Sequence, residues 1–306
     1  MRYIPFSPVL RGFVPCYRLA VKTLYIGYIT FSAITVNYKI KDKTMPKYFG
    51  PKETEVISRL SYEKVTIITK KQFDKLFGKA VLTRQIIYQL KKKGILKPII
   101  KGIYYYSPLE SGPAGRRINE FLIPLVLFPK DNYYLGYSTM YNYYGLTEQI
   151  FQTFYILNTS LQREREICGI LFKLLKVPAN RMYGLEKVKI KNSEVIVSDR
   201  ERTLIDLVYF PDPVGGVKKA LEIFKDESLS KKSDLKKLIR YTSKFPNVST
   251  RKRIGFVLDK AGVSEQMLAP LLKSVKKRAT LVTLYGSKSR KGEVNSKWKV
   301  IIDDSR

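Results

Sequence analysis

The sequence predicts an α+β protein, an N-terminal winged helix-turn-helix followed by a larger mixed α+β domain. Three observations carry this. Two short segments each run from a polar cap to a glycine stop, and a β-rich hairpin follows them, all between Lys64 and Pro108. Past residue 110, strand-like alternation mixes with runs of helical periodicity, the pattern of an α+β domain. Leu109 to Gly115 between them is a small-residue run with Pro and Gly, which reads as a boundary. The expected divisions are therefore an extension at 1–44, the helix-turn-helix at 45–110 and the second domain at 111–306.

Residues 1–44 look unlike the rest. Leu24 to Val36 is apolar and β-branched but shorter than the roughly 20 residues of a spanning helix. No clean small-residue cleavage site marks a signal peptide. A second Met stands at position 45, directly before ordinary globular sequence. These residues are expected to lie outside the functional fold, and no membrane partner is expected.

From Lys52 to Tyr62, Val56, Ile57 and Leu60 predict a first helix, and Val65 to Ile68 a short strand able to pair with the hairpin. Thr69 with Gln72 three positions on has the form of a capping box, and Gly78 stops the helix they open. Phe73, Leu76 and Phe77 give it one apolar face. After a five-residue turn, Thr83 is expected to cap the next helix, with Gly94 as its terminator. Ile86, Ile87 and Leu90 cluster on one side of that helix and Arg84, Gln85, Tyr88, Lys91 and Lys92 point away. Ile95 to Ile100, a Lys101-Gly102 turn and Ile103 to Tyr106 complete the hairpin.

The outward face has the chemistry of a nucleic-acid reader. Arginine donates to guanine or phosphate, glutamine reads adenine, and tyrosine reaches phosphate or sugar. Thr83, Arg84, Gln85 and Tyr88 are the candidates at or near base edges, and Lys91, Lys92 and Lys101 the candidates for phosphates. The competing reading is a solvated basic face or a protein-binding module, because helix-turn-helix shapes recur in other roles.

In the second domain Ile118 to Phe128 predicts a helix bent at Pro124. Ser138 is expected to cap a short helix reaching Tyr144. Strands are expected at Phe151 to Asn158 and Ile170 to Val177, and as a hairpin around Asn192-Ser193. Ser198 or Asp199 opens a helix ended by Pro211. Helical signals follow at Val214 to Phe224, Ser233 to Tyr241, Ser249 to Leu258 and Ser264 to Val275. Leu281 to Leu284 and Trp298 to Ile302 read as strands joined by a Gly, Ser and Lys loop.

Composition narrows the function. The 57 basic and 26 acidic residues among 306 give a net charge of +31, a field that favours polyanions. Per residue, 45–110, with 14 basic against 5 acidic and a net of +9, is more positive than 111–306, which carries 36 against 20, a net of +16. The chain has no histidine, and its only cysteines are Cys16 and Cys168. Imidazole chemistry, a zinc site and a disulfide scaffold are thereby excluded, and an intracellular location is the default.

Three stretches resemble one known family. They are the hairpin Gly94 to Leu96 with Lys101 to Tyr104; Leu135-Gly-Tyr-Ser-Thr-Met-Tyr-Asn-Tyr-Tyr-Gly-Leu-Thr147; and Val197-Ser-Asp-Arg-Glu-Arg-Thr-Leu-Ile-Asp-Leu207 with Pro211 and Gly215-Gly216. The ending Gly292 to Trp298 is similar too. Together they resemble the AbiEi-type antitoxins, transcriptional regulators of type IV toxin-antitoxin systems in viral defence. The resemblance implies a cytoplasmic protein whose winged helix-turn-helix represses its own operon by binding inverted repeats in double-stranded promoter DNA. It implies a second, antitoxin domain opposing a nucleotidyltransferase-like toxin, without a stable toxin-antitoxin complex. One departure is that Tyr143-Tyr144 stands where the family often carries His.

No catalytic residue, metal ligand or cofactor is expected. The alternative is a magnesium-dependent nuclease, since Asp199, Glu201 and Asp206 could in principle hold the ion. Arg200 and Arg202 interleave with them, so a helix cap at Ser198 or Asp199 and an Arg202–Asp206 pair at i,i+4 are the expected roles. Gly286-Ser-Lys-Ser-Arg-Lys-Gly292 is similar to a phosphate loop but has Lys291 in place of the second glycine. A solvated turn is expected, with Lys288, Arg290 and Lys291 able to touch a DNA backbone.

Overall fold

The computed structural model describes residues 21–26, 29–34, 48–78, 80–111, 117–191 and 193–303. Two compact units result, Met1–Phe49 and Gly50–Arg306. In the first, strand β1 (Val21–Ile26) pairs antiparallel with β2 (Ile29–Ile34). The remainder of the 1–44 extension lies outside the described residues.

The second unit opens with helix α1 (Pro51–Tyr62), for which Pro51 presets the first turn and Glu53 accepts the N–H of Gly50 at 2.9 Å. Val56, Ile57 and Leu60 form its buried stripe. Strand β3 (Ile67–Thr69) runs directly into helix α2 (Lys70–Phe77). Thr69 Oγ1 accepts the Gln72 N–H at 3.2 Å while Gln72 Oε1 accepts the Thr69 N–H at 2.7 Å, which is the expected capping box. Gly78, at φ 66°, reverses the chain.

Helix α3 (Ala80–Lys92) then starts four residues earlier than a cap at Thr83 implies. Thr83 is no cap; it is fully buried inside the helix. The reason is its spacing: Thr83, Ile86, Ile87 and Leu90 fall at i, i+3, i+4 and i+7 on one face. Burying that whole face outweighs one capping bond. Strands β4 (Leu96–Ile100) and β5 (Ile103–Tyr106) form the hairpin, and β5 pairs antiparallel with both β3 and β4. The Tyr106 hydroxyl, 2.7 Å from Ser61 Oγ and 3.2 Å from Ile57 O, fastens this sheet to α1.

The centre of the unit is a six-stranded mixed sheet. Helix α4 (Leu122–Leu127), strand β6 (Tyr133–Leu135), helix α5 (Ser138–Tyr143) and strands β7 (Thr153–Asn158), β8 (Arg163–Ile167), β9 (Ile170–Lys176), β10 (Leu185–Ile190) and β11 (Ser193–Ser198) follow in order. The strand order is β10-β11-β6-β7-β9-β8, parallel at β11–β6 and β7–β9 and antiparallel elsewhere. Edge strand β8, Arg-Glu-Arg-Glu-Ile, has too little apolar content to read as a strand, and such charge is how edges avoid pairing with other chains. Ser138 is the first helical residue of α5 and buried, with Tyr137 at φ 52° ahead of it, so the expected Ser138 cap is one residue out.

Strand alternation divides the core in two. Tyr133, Leu135, Phe154, Ile156, Phe172 and Leu174 face one way, into a cluster with Ile118, Ile123 and Phe128. Ile99 and Tyr105 of the hairpin join the same cluster, so the border expected near residue 110 is a change of elements within one compact unit. Tyr134, Tyr155 and Leu157 face the other way, toward helices α6 (Arg200–Tyr209), α7 (Val217–Ser228), α8 (Leu235–Lys244), α9 (Val248–Lys260) and α10 (Glu265–Lys276).

A last sheet, β12 (Val282–Thr283), β13 (Glu293–Asn295) and β14 (Val300–Ile302), closes the chain in the order β12-β14-β13. Strand β13 was hidden in the Gly, Ser and Lys loop. Trp298, fully buried, lies so close to α9 that a Cβ at Gly255 would sit 2.1 Å from its ring, which requires glycine there. The fold is thus mixed α+β.

Candidate nucleic-acid interface

With its Thr83, Ile86, Ile87 and Leu90 face buried, α3 must turn its other residues outward. Arg84, Gln85, Tyr88, Lys91 and Lys92 are all exposed there, Tyr88 to 62%. Val81, 60% exposed on the same helix, was overlooked because the helix was expected to begin after it. An exposed apolar side chain beside Arg84 and Gln85 suits contact with a thymine methyl. Lys101 is exposed at the β4–β5 turn, in a different element. Five of the seven expected residues therefore share one surface, Lys101 stands on the hairpin tip, and Thr83 is withdrawn from any ligand.

The electrostatics of this region are uneven. On α1, Lys52 pairs with Glu55 at 3.2 Å and Arg59 with Glu63 at 2.9 Å, and Glu53 takes Lys93 as an ion-pair partner. Helix α3 contains no acidic residue. Among the described residues, Arg84, Lys91, Lys92 and Lys101 have no carboxylate partner. Their positive field is consequently left for an external anion, whereas that of α1 is largely spent internally.

The three carboxylates that could in principle hold a metal ion, Asp199, Glu201 and Asp206, are already occupied. Asp199 caps α6, accepting the Arg202 N–H at 2.8 Å, and meets Lys237 at 3.1 Å and the Tyr241 hydroxyl at 3.1 Å. Burial raises its pKa, opposed by the Arg202 N–H and by Lys237. Glu201 accepts the Asp234 N–H at 2.9 Å and pairs with Lys237 at 2.9 Å. Asp206, fully buried, is held by Arg202 at 3.2 Å and faces Arg181 at 3.5 Å. The group reads as a packed charge network: burial opposes the Arg202 charge, but Asp206 holds its pKa above the ordinary value. Tyr183, whose ring lies 4.6 Å from the Arg202 guanidinium, is pushed up to about 12 by burial. No cluster of three such ligands is poised for a metal among the described residues.

The stretches Leu135–Thr147 and Val197–Leu207 are brought together. Leu135 and Val197 are register partners, the Tyr141 hydroxyl donates toward Asp206 O and Phe210 O at 3.1 and 3.2 Å, and the Tyr144 hydroxyl lies 2.9 Å from Ser198 O. They form the junction between the sheet and α6. No helix of the described residues is long and apolar enough to cross a membrane.

No family model and no curated protein sequence matches the chain. Among solved structures, the crystal structure of the RV2827C protein from Mycobacterium tuberculosis is similar, with a TM-score of 0.59 at 14% identity over 84% of this chain and 93% of that one. At that identity the likeness is one of fold.

Proposed function

We propose that the segment from Gly50 to Tyr106 is a winged helix-turn-helix, and that the protein is a sequence-specific repressor of its own promoter. What carries the reading is α3, whose outer face offers Arg84, Gln85, Tyr88, Lys91 and Lys92 with no acidic residue among them. The element order supports it: three helices, with β3 between the first two, and a hairpin after the third whose turn exposes Lys101. In this reading α3 enters the major groove, Arg84, Gln85 and Tyr88 meet base edges, and Lys91, Lys92 and Lys101 hold phosphates. A promoter–reporter fusion tests it in the cell: the intact protein should silence its own promoter, and Arg84→Ala should release it. Equal silencing by both would refute it.

The second half of the proposal is that the protein is a cytoplasmic antitoxin of a type IV pair, opposing a nucleotidyltransferase-like toxin without stable binding. It rests on the family resemblance of Leu135–Thr147 and Val197–Leu207, and on the absence of any free carboxylate set at Asp199, Glu201 and Asp206 for nuclease chemistry. Co-expression with the toxin encoded beside it should restore growth, with the two proteins eluting separately on gel filtration. Growth arrest despite soluble antitoxin would overturn this half alone.

A further inference from the structure

Two cavities beside α7 and α9 meet at Lys218 and Tyr285. The larger, about 930 Å³, is lined on one side by Gly215, Gly216 and Lys218 at the start of α7, and on the other by Ser287, Ser289 and Lys291 of the loop before β13. The smaller, about 180 Å³, has an apolar floor of Leu221, Phe256 and Leu284 with Tyr285 as a wall, and Lys225 and Lys260 beside it. The larger lies in the size range of small-molecule sites, roughly 300–1,000 Å³.

The two lobes differ in chemistry. In the larger, two lysines and two serines converge on open backbone: a Cβ at Gly215 or Gly216 would meet nothing within 4 Å. Gly216 provides no side chain to cap α7 and the first turn contains no acidic residue, so the first N–H groups of α7 add to the positive lining. Asp303, also in the lining, is turned into the loop, where its carboxylate accepts the N–H groups of Tyr285 and Ser287 at 2.9 and 3.0 Å. In the smaller lobe Glu222 pairs with Lys219 at 3.5 Å. Among the described residues, four lysines, Lys218, Lys225, Lys260 and Lys291, line the two lobes together with these two carboxylates. Lys218 sits at the junction with its ammonium 6.0 Å from the Tyr285 ring centre.

A polar, cationic lobe joined to a small aromatic one fits a ligand with a polyanionic end and a flat ring. We infer that this cleft binds a nucleoside triphosphate, its phosphates between Gly216, Lys218 and Lys291 and its base against Tyr285 over Phe256. The sequence hinted at only one wall, the Gly286–Gly292 loop, because its partner wall lies some 70 residues earlier. The site is separate from α3 and does not depend on the DNA-binding reading.

Isothermal titration of the full chain with ATP, GTP, CTP and UTP, and with inorganic triphosphate, tests the assignment. Nucleotide should bind, and Lys218→Ala and Lys291→Ala should each weaken it about tenfold, the scale of a lost charged hydrogen bond. Tyr285→Ala should weaken nucleotide while leaving inorganic triphosphate unchanged. Lys91→Ala, on α3, should leave both unchanged, which separates this cleft from general anion attraction by a basic protein. No nucleotide binding at about 1 mM, corresponding to only ~4 kcal/mol, would overturn the proposal. So would inorganic triphosphate binding as tightly as ATP, or an equal loss in Lys91→Ala.

Discussion

Arg202 and Asp206 stand one helical turn apart on α6 and close a fully buried, two-point ion pair, Nε to Oδ2 and Nη2 to Oδ1, both at 3.2 Å. Around it, Arg202 also donates to Arg181 O at 3.0 Å and to the Tyr134 hydroxyl at 3.2 Å. The pair ties α6 both to the sheet and to the Ala179–Arg181 turn, so the charge on Asp206 is committed to the architecture.

Removing that carboxylate strands two buried guanidinium groups. Asp206→Ala is therefore expected to cost ~3–5 kcal/mol of folding stability, measured by urea denaturation against the parent. A loss under about 1 kcal/mol would place the pair among weak surface contacts instead.

Thr83 offers a test of the opposite sign. Its hydroxyl is fully buried and, among the described residues, finds no hydrogen-bond partner. Thr83→Val keeps the shape and removes an unsatisfied polar atom, so stability should stay level or rise by about 1 kcal/mol. Promoter affinity should be unchanged. Weaker DNA binding with intact stability would return Thr83 to the interface.

The single tryptophan reports on acid sensitivity. Asp259 accepts from Trp298 Nε1 and from Lys297 Nζ, both at 2.9 Å. Burial raises the Asp259 pKa, but these two donors outweigh it and the net shift is downward. A carboxyl with a depressed folded pKa contributes stability that is present above its unfolded pKa, about 3.9, and lost as pH falls through the folded value. Stability and Trp298 emission should hold down to that region and then change. Asp259→Asn should remove this step from the acid titration; an identical acid transition in the variant would contradict the assignment.

Much of this arrangement was legible along the chain, because local chemistry decides it. Thr69 with Gln72, Asp199 as the α6 cap and the Arg202–Asp206 spacing all involve residues within four positions of each other. Elements set by distant partners were not legible. Strand β8 shows no apolar alternation because it is a charged edge, and β13 exists only through pairing with β14. Thr83 has the residue type of a cap, yet its position on the buried stripe of α3 decides its fate. Arg181 reaches Asp206 across 25 residues of sequence, and the cleft at Lys218 and Tyr285 joins two loops that share no motif. On α3 itself, the outward residues were read from periodicity alone, which a shifted helix start leaves intact.

The claim that α3 reads DNA is tested most directly by gel-shift titration on the protein's own promoter and on scrambled DNA, across a salt series. Arg84→Ala should lose about 1–3 kcal/mol on the promoter and little on scrambled DNA. Lys92→Ala should weaken both equally and reduce the salt slope by about one. If neither variant alters affinity or slope, α3 is not the DNA-reading element.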